Sequence, residues 1–163
     1  MLNSSKKILP DASKANALLD SLTRLPRPLV FTNGCFDILH RGHVTYLEQA
    51  RNLGAAMIVG VNTDASVKRQ NKGSDRPITP LEDRMAVLAG LACVDGVVSF
   101  DGDTPLKLIK LIKPDHLVKG GDWAVDEIVG NEVVKDHGGQ VHSLAFKFER
   151  STSALLKRIR NSV

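Results

Sequence analysis

Short apolar runs alternate with helix-periodic segments along most of the chain, and that pattern leaves few architectures open. Leu29-Val30-Phe31-Thr32, Met57-Ile58-Val59-Gly60-Val61, Val97-Val98-Ser99-Phe100, Leu117-Val118 and the run Val141–Phe146 read as buried strands. Between the first two, Val44, Leu47, Ala50 and Leu53 recur at helical spacing, and Gly54 stands where that helix should stop. Pro80 opens another helix at the first-turn position, with Leu81, Met85, Leu88 and Ala92 on one face. Further helices are predicted near Leu106–Ile112, ended by Pro114, around Asp126–His137, stopped by Gly138-Gly139, and over Ser153–Ile159. Nearly continuous apolar strands separated by helices predict an α/β domain of three layers, a parallel sheet of about five strands covered on both faces. A weak amphipathic stretch (Ala15, Leu18, Leu19, Leu22) ends at Pro26 and Pro28, so residues 1–27 are expected to form a helical appendage on a domain of residues 28–163.

Composition narrows the class. A chain of 163 residues is one ordinary domain, and 42% hydrophobic with 25% charged residues excludes collagen, disorder and a disulfide scaffold. No apolar run approaches the roughly 20 residues that span a bilayer. The start, Met1-Leu2-Asn3-Ser4-Ser5-Lys6-Lys7, lacks the apolar stretch of a secretory signal, so a cytoplasmic location is expected. Cys35 and Cys93 are too few for a disulfide framework or zinc knuckle and read as reduced thiols. The formal charge of +4 is located: from Lys147 onward, Lys147, Arg150, Lys157, Arg158 and Arg160 face a single acid, Glu149. A second basic patch comprises Lys68, Arg69, Lys72 and Arg76, diluted by Asp75. Such patches suit nucleic acid or a smaller polyanion. Five Phe, one Trp and one Tyr are poor material for base stacking, so a small phosphorylated ligand is expected instead.

Ligands of open parallel sheets sit beyond the carboxyl ends of the strands, near the change in strand order. The unusual residues of this chain do follow strands. The first runs into Thr32-Asn33-Gly34-Cys35-Phe36-Asp37-Ile38-Leu39-His40-Arg41-Gly42-His43. Gly34 permits a sharp turn that frees the amides of Cys35 and Phe36 to meet an anion beside a helix N-terminus. His40 and His43 project from one face if the helix has begun, and two imidazoles there can donate to phosphate oxygens. Gly42 removes a side chain that would hold a phosphate off the backbone. Other readings stay open. The histidines with Asp37 are possible metal ligands, although helical ligand pairs more often stand four apart; one or both histidines can be capping or core residues. Cys35 reads as a nucleophile at a helix start or as a small buried turn residue. In Lys119-Gly120-Gly121-Asp122-Trp123 two glycines let backbone approach a flat ligand, Asp122 accepts from hydroxyls or caps the next helix, and Trp123 packs in the core or at a rim. Ser151-Thr152-Ser153 begins the last helix beside Arg150, where amides and hydroxyls make a phosphate site; N-capping accounts for one of the three.

The Gly-x-Phe-Asp…His-x-Gly-His pattern resembles the signature of the nucleotidyltransferase superfamily named for that histidine motif. Val61-Asn62-Thr63-Asp64-Ala65-Ser66, Arg76-Pro77, Glu82-Asp83-Arg84, Val118-Lys119-Gly120-Gly121-Asp122 and Ser151-Thr152-Ser153 follow in order. Together they resemble the bacterial D-glycero-β-D-manno-heptose 1-phosphate adenylyltransferases over roughly residues 28–161, which implies a Rossmann-like fold. In many bacteria this activity is fused behind a sugar kinase; 163 residues leave no room for one, so a stand-alone transferase is expected. The resemblance implies catalytic roles at the α-phosphate for His40, His43 and Lys72, with Lys68 and Arg69 behind Lys72 in a loop one residue longer than in the fused enzymes. It implies ATP binding by Asn33, Gly34, Cys35, Phe36 and Gly42 around the first turn. Lys119, Gly120, Gly121, Asp122 and Trp123 would line the ribose and base. Arg150, Ser151, Thr152 and Ser153 would meet the β- and γ-phosphates, Ser153 departing from the usual Ser-Thr-Thr. By analogy Asp37, Asn62 and Arg84 face the acceptor sugar phosphate, while Arg84 also falls near the solvent face of its helix and reads equally as a surface charge.

The implied reaction is ATP + heptose 1-phosphate → ADP-heptose + pyrophosphate, a step toward lipopolysaccharide core or a related surface glycan. The acceptor is already a nucleophilic anion, so no general base is required, and catalysis should rest on positioning and on cationic and hydrogen-bond donors. Mg2+ is expected with ATP, held by phosphate oxygens and water, and no carboxylate cage marks a protein metal site. The expected partners are ATP and a sugar 1-phosphate, with no nucleic acid and no membrane, and a homodimer accords with similar enzymes. The competing readings are a cytidylyltransferase for another phosphorylated alcohol such as glycerol 3-phosphate, a nucleic-acid-binding module using the basic tail, and a nucleotide-binding regulator without transfer activity.

Overall fold

Successive side chains on a strand point to opposite faces, and here both faces are apolar. In β1 (Leu29–Gly34), Val30 enters one core while Leu29 and Phe31 enter the other; in β2 (Ala56–Asn62), Met57, Val59 and Val61 face Ala56 and Ile58 across the sheet. β3 (Gly96–Phe100), β4 (His116–Gly120) and β5 (Gln140–Leu144) complete an all-parallel sheet in the order β3-β2-β1-β4-β5. The computed structural model describes residues 4–70, 75–121, 123–148 and 151–162. Seven helices are described: α1 (Ala15–Leu22), α2 (Arg41–Arg51), α3 (Asp64–Arg69), α4 (Leu81–Ala89), α5 (Leu106–Ile112), α6 (Asn131–Asp136) and α7 (Thr152–Arg160).

Tyr46, Leu47 and Ala50 of α2, with Met85, Leu88 and Ala89 of α4, cover one face of the sheet. Leu18 of α1, Leu108, Ile109 and Ile112 of α5, and Val134 of α6 cover the other. Each fully buried Leu, Ile or Phe contributes roughly 1.5–3 kcal/mol, which is the physical basis of the three layers. Strand order changes direction at β1, whose neighbours are β2 and β4. A crevice therefore opens at the carboxyl ends of β1 and β4.

The N-terminal segment is stitched to the sheet rather than resting on it. Ile8 bridges to Val97, the Leu9 and Ala12 amides donate to the carbonyls of Val97 and Ser99, and Leu18 is fully buried.

Several element boundaries differ from the sequence reading. The continuous helix expected over Asp126–His137 is a short 3-10 turn, Val125–Glu127, and then α6, because Gly130 adopts φ +92 between them. Pro80 is the N-cap of α4 rather than its first residue, and Ala92 lies beyond its end. β5 stops at Leu144, leaving Phe146 outside the sheet. The sequence reading missed α3; it is capped by Thr63, whose hydroxyl accepts from the Ser66 amide at 3.2 Å.

Candidate active site

β1 delivers the Cys35–His40 loop to the crevice. The left-handed residue of that turn is Phe36, at φ +48. Gly34 matters for space: a Cβ there would sit 3.0 Å from the Phe36 ring. That ring is buried and meets His43 edge-on, with centroids 5.4 Å apart.

His40 caps α2 in extended conformation and its carbonyl accepts from the His43 and Val44 amides, so the helix begins after it. The two imidazoles nevertheless stack, with centroids 3.9 Å apart and planes inclined by 19°. Gly42 makes the stack possible, because a Cβ there would come within 3.1 Å of the His40 ring and 3.2 Å of the Phe148 carbonyl oxygen. Burial lowers both histidine pKa values; for His43, burial and then the neighbouring His40 push it down to about 4. Both rings are therefore neutral near pH 7. Neither Nδ1 finds a hydrogen-bond partner among the described residues. Orphaned polar atoms of this kind are uncommon in folded interiors and mark a site built for something else.

Two of the three acceptor-site candidates are engaged internally. Asp37 is almost fully buried, ion-paired with Arg76, and accepts from the amides of Ile78 (2.9 Å) and Thr79 (2.8 Å). Burial opposes the carboxylate, but those amides and the guanidinium outweigh it and hold its pKa below the ordinary range. Asp37 thus latches segment 76–79 to the histidine loop. Arg84 does not lie on a solvent face. It is 1% exposed and donates to the carbonyls of Cys35 (2.5 Å), Asn62 (2.9 Å) and Thr79 (3.0 Å) and to the Asp64 carboxylate (2.7 Å). Its guanidinium ties the ends of β1 and β2 to α4 from beneath. Asn62, the third candidate, does face the crevice, held by its amide nitrogen on Ser66 Oγ at 2.9 Å.

At the end of β4, Gly120 and Gly121 were expected to clear space for a flat ligand. A Gly120 Cβ would lie 2.7 Å from the Phe146 ring and a Gly121 Cβ 3.2 Å from Trp123 Nε1, so both glycines make room for those rings, and Gly120 also lines the smaller cleft. Trp123 stands at the rim, 48% exposed, its indole N–H donating to the Gly120 carbonyl. Tyr46 is buried beneath, bonded to Thr32 Oγ1 and donating to the Val118 carbonyl, and burial pushes its phenol pKa up.

The last helix reaches the same rim. Thr152 Oγ1 donates to the Ile38 carbonyl at 3.2 Å, fastening the start of α7 to the histidine loop. Ser151 is the N-cap, its hydroxyl accepting from Ala154 N, and Ser153 is exposed on the first turn. The predicted residues Lys72, Asp122 and Arg150 lie outside the described residues.

Two adjoining clefts result. The larger, about 680 Å³, is lined by Asn33, Gly34, Cys35, Asn62, Gln70, Asp103, Thr104, Lys119, Trp123 and Ile128, among others. The smaller, about 470 Å³, is lined by Asn33, Gly34, Cys35, Phe36, His43, Tyr46, Lys119, Gly120 and Phe146. Gln70, Asp103, Thr104, Tyr46 and Phe146 were missed in the sequence. Asp103 and Thr104 follow β3, so the strand-end rule that found the others would have found them. Gln70 required recognition of α3 from its Thr63-Asp64 start.

Residues 31–154, most of the chain, match the model of the cytidylyltransferase-like family. The chain belongs to that family. This cytidylyltransferase-like chain is 60% identical over 137 residues to D-beta-D-heptose 1-phosphate adenylyltransferase of Bordetella bronchiseptica, covering 84% of this chain and 85% of that protein. It is 57% identical over 133 residues, 82% of its length, to the bifunctional protein HldE of Ectopseudomonas mendocina, of which it spans 28%. Among solved structures it is similar to the lipopolysaccharide core biosynthesis protein of Thermoplasma volcanium, with TM-score 0.60 and 30% identity, covering 75% of this chain and 98% of that one. Among the described residues, no helix of this cytidylyltransferase-like chain is long and apolar enough to cross a membrane.

Proposed function

We propose that the protein transfers AMP from ATP to D-glycero-β-D-manno-heptose 1-phosphate, giving ADP-heptose and pyrophosphate for lipopolysaccharide core or related surface glycan synthesis. The observation that carries the reading is the meeting of two clefts over the end of β1, one walled by His43, which stacks on His40, and the other by polar side chains suited to a polyhydroxylated acceptor. The 60% identity to the Bordetella enzyme selects the nucleotide and sugar.

An oxygen of the sugar phosphate attacks the α-phosphorus of ATP. A P–O bond forms there as the bond to the bridging oxygen breaks, and pyrophosphate leaves with that electron pair. Charge is conserved without any proton transfer, so neutral imidazoles serve: each can give an N–H to an α-phosphate oxygen without acting as a base. We assign His40 and His43 to that phosphate and Ser151 and Thr152 at the start of α7 to the departing pyrophosphate, where helix amides favour an anion. The main obstacle is bringing two anions together, which a preorganised set of donors lowers at little reorganisation cost. Among the described residues, no cluster of three or more His, Cys, Asp or Glu side chains is placed to hold a metal ion. The Mg2+ that accompanies ATP in this reading is carried in on the triphosphate oxygens and water.

The test is a panel of ATP and CTP against heptose 1-phosphate, other sugar 1-phosphates and glycerol 3-phosphate, followed by pyrophosphate release. Release confined to ATP with heptose 1-phosphate supports the proposal. Preference for CTP with glycerol 3-phosphate overturns it.

A further inference from the structure

We infer that Gln70 and Asn62, oriented through the Cys35 thiol, read neighbouring hydroxyls of the acceptor sugar and so decide which sugar 1-phosphate is used. The inference rests on the transfer reaction proposed above and names the groups that select its acceptor.

All three side chains line the larger cleft. Cys35 Sγ donates to Gln70 Oε1 at 3.3 Å and lies 3.9 Å from Asn62 Oδ1. A thiol has a single hydrogen, so it satisfies one of the two carbonyl oxygens, and the shorter contact takes it. Asn62 is 3% exposed, and its amide nitrogen donates to Ser66 Oγ at 2.9 Å. Its Oδ1 is therefore a nearly buried acceptor whose donor, among the described residues, is that distant and shared thiol. Such an acceptor is costly until a ligand supplies a hydrogen.

Gln70 has the opposite need. With Oε1 on the thiol, its Nε2 hydrogens have no acceptor among the described residues. Adjacent sugar hydroxyls meet both demands, one donating to Asn62 Oδ1 while the next accepts from Gln70 Nε2. A phosphate dianion meets one of them, since it has no hydrogen to give Asn62. The pair therefore suits the sugar rather than the phosphate of the acceptor.

The pair is also preorganised. Gln70 is the C-cap of α3, and its amide donates to the Val67 carbonyl at 3.1 Å. α3 is in turn tied to the loop after β3. Arg69 Nε donates to Asp103 at 2.8 Å, and Ser66 Oγ to the Gly102 carbonyl at 2.9 Å. Arg69, a phosphate candidate in the sequence, is thus ion-paired with Asp101 and Asp103 and holds the wall that carries Gln70. Groups fixed in this way lose little freedom when a ligand engages them.

The test is pyrophosphate release with heptose 1-phosphate and a set of its monodeoxy derivatives, for the wild type, Gln70→Met, Cys35→Ser and Cys35→Ala. In the wild type, removing either of two neighbouring hydroxyls should lower acceptor kcat/KM about tenfold, the scale of one hydrogen bond. Gln70→Met should lose a similar factor with the parent sugar and little more with one of those two derivatives, while KM for ATP stays near its wild-type value. Cys35→Ser keeps a hydrogen for Oε1 and should keep the discrimination; Cys35→Ala releases the carboxamide and should weaken it at the same position. Should Gln70→Met melt early, the two Cys35 variants decide. Unchanged acceptor kinetics, an equal loss for the parent and every derivative, or a loss confined to KM for ATP would each overturn the inference. A wild-type protein inactive with every sugar 1-phosphate would overturn the transfer reaction itself, and the inference with it.

Discussion

Replacing Arg84 by methionine distinguishes three roles for that side chain in one experiment. The guanidinium is 1% exposed and makes hydrogen bonds of 2.5–3.0 Å to three carbonyls and one carboxylate. Charged hydrogen bonds are worth about 1.5–3 kcal/mol each, but water and relaxation recover part of four such losses, and breaking a buried charged set typically costs about 3–5 kcal/mol. Taking ~4 kcal/mol, and ~2–4 °C per kcal/mol for a domain of this size, Arg84→Met should lower Tm by about 8–16 °C. The carbonyls it releases belong to Cys35, Asn62 and Thr79, so the crevice floor should loosen as well. At temperatures where the variant stays folded, kcat/KM should drop by roughly 100-fold, the penalty for ångström-scale misplacement. Differential scanning fluorimetry and pyrophosphate release measure the two effects. A direct sugar-phosphate ligand predicts a raised acceptor KM at normal Tm, and a surface charge predicts neither change. Either outcome would refute the role of Arg84 as a clamp beneath the site.

His43→Ala should cut turnover by roughly two orders of magnitude with little change in Tm, measured on the same purified protein. The depressed His43 pKa sets a pH dependence. With the unfolded value near 6.5 and the folded value about 4, the unfolded chain binds the proton first as pH falls. Stability from this group is then present above pH 6.5 and is lost between there and pH 4, so Tm should fall through that window, and fall less in His43→Gln. Gly120→Ala, whose Cβ would press on Phe146 at 2.7 Å and on the buried Tyr46 ring at 3.1 Å, should raise KM for ATP about tenfold and lower stability by about 1 kcal/mol, because the partly exposed Phe146 can move and Tyr46 cannot. Thr152→Val removes the bond to the Ile38 carbonyl; urea unfolding should register about 1 kcal/mol, with a larger relative loss in kcat/KM for ATP.

The sheet was legible because its strands are apolar on both faces, a pattern that Met57-Ile58-Val59 shares with few alternatives. The histidine loop was legible as a candidate site because its polar residues follow a strand with no other structural demand evident in sequence. What sequence could not show was which polar groups face inward. Asp37 and Arg84 carry the residue types of a substrate site, yet their partners are Arg76, the Ile78 and Thr79 amides, and carbonyls from β1 and β2, all distant in sequence. Glycine identity was likewise ambiguous. Gly120 reads as room for a ligand, but the space a Cβ would need there is also shared with Phe146, 26 positions later, a neighbour that local sequence does not reveal. The break at Gly130 was hidden because the surrounding Asp126–His137 pattern is helical on either side of one residue with positive φ.

The most direct test of the account follows the α-phosphorus itself. With ATP radiolabelled at that position and D-glycero-β-D-manno-heptose 1-phosphate as acceptor, the label should move into ADP-heptose, matched mole for mole by pyrophosphate. Label recovered only as AMP, as ADP, or in unchanged ATP would contradict a site built to bring two phosphates together for direct displacement.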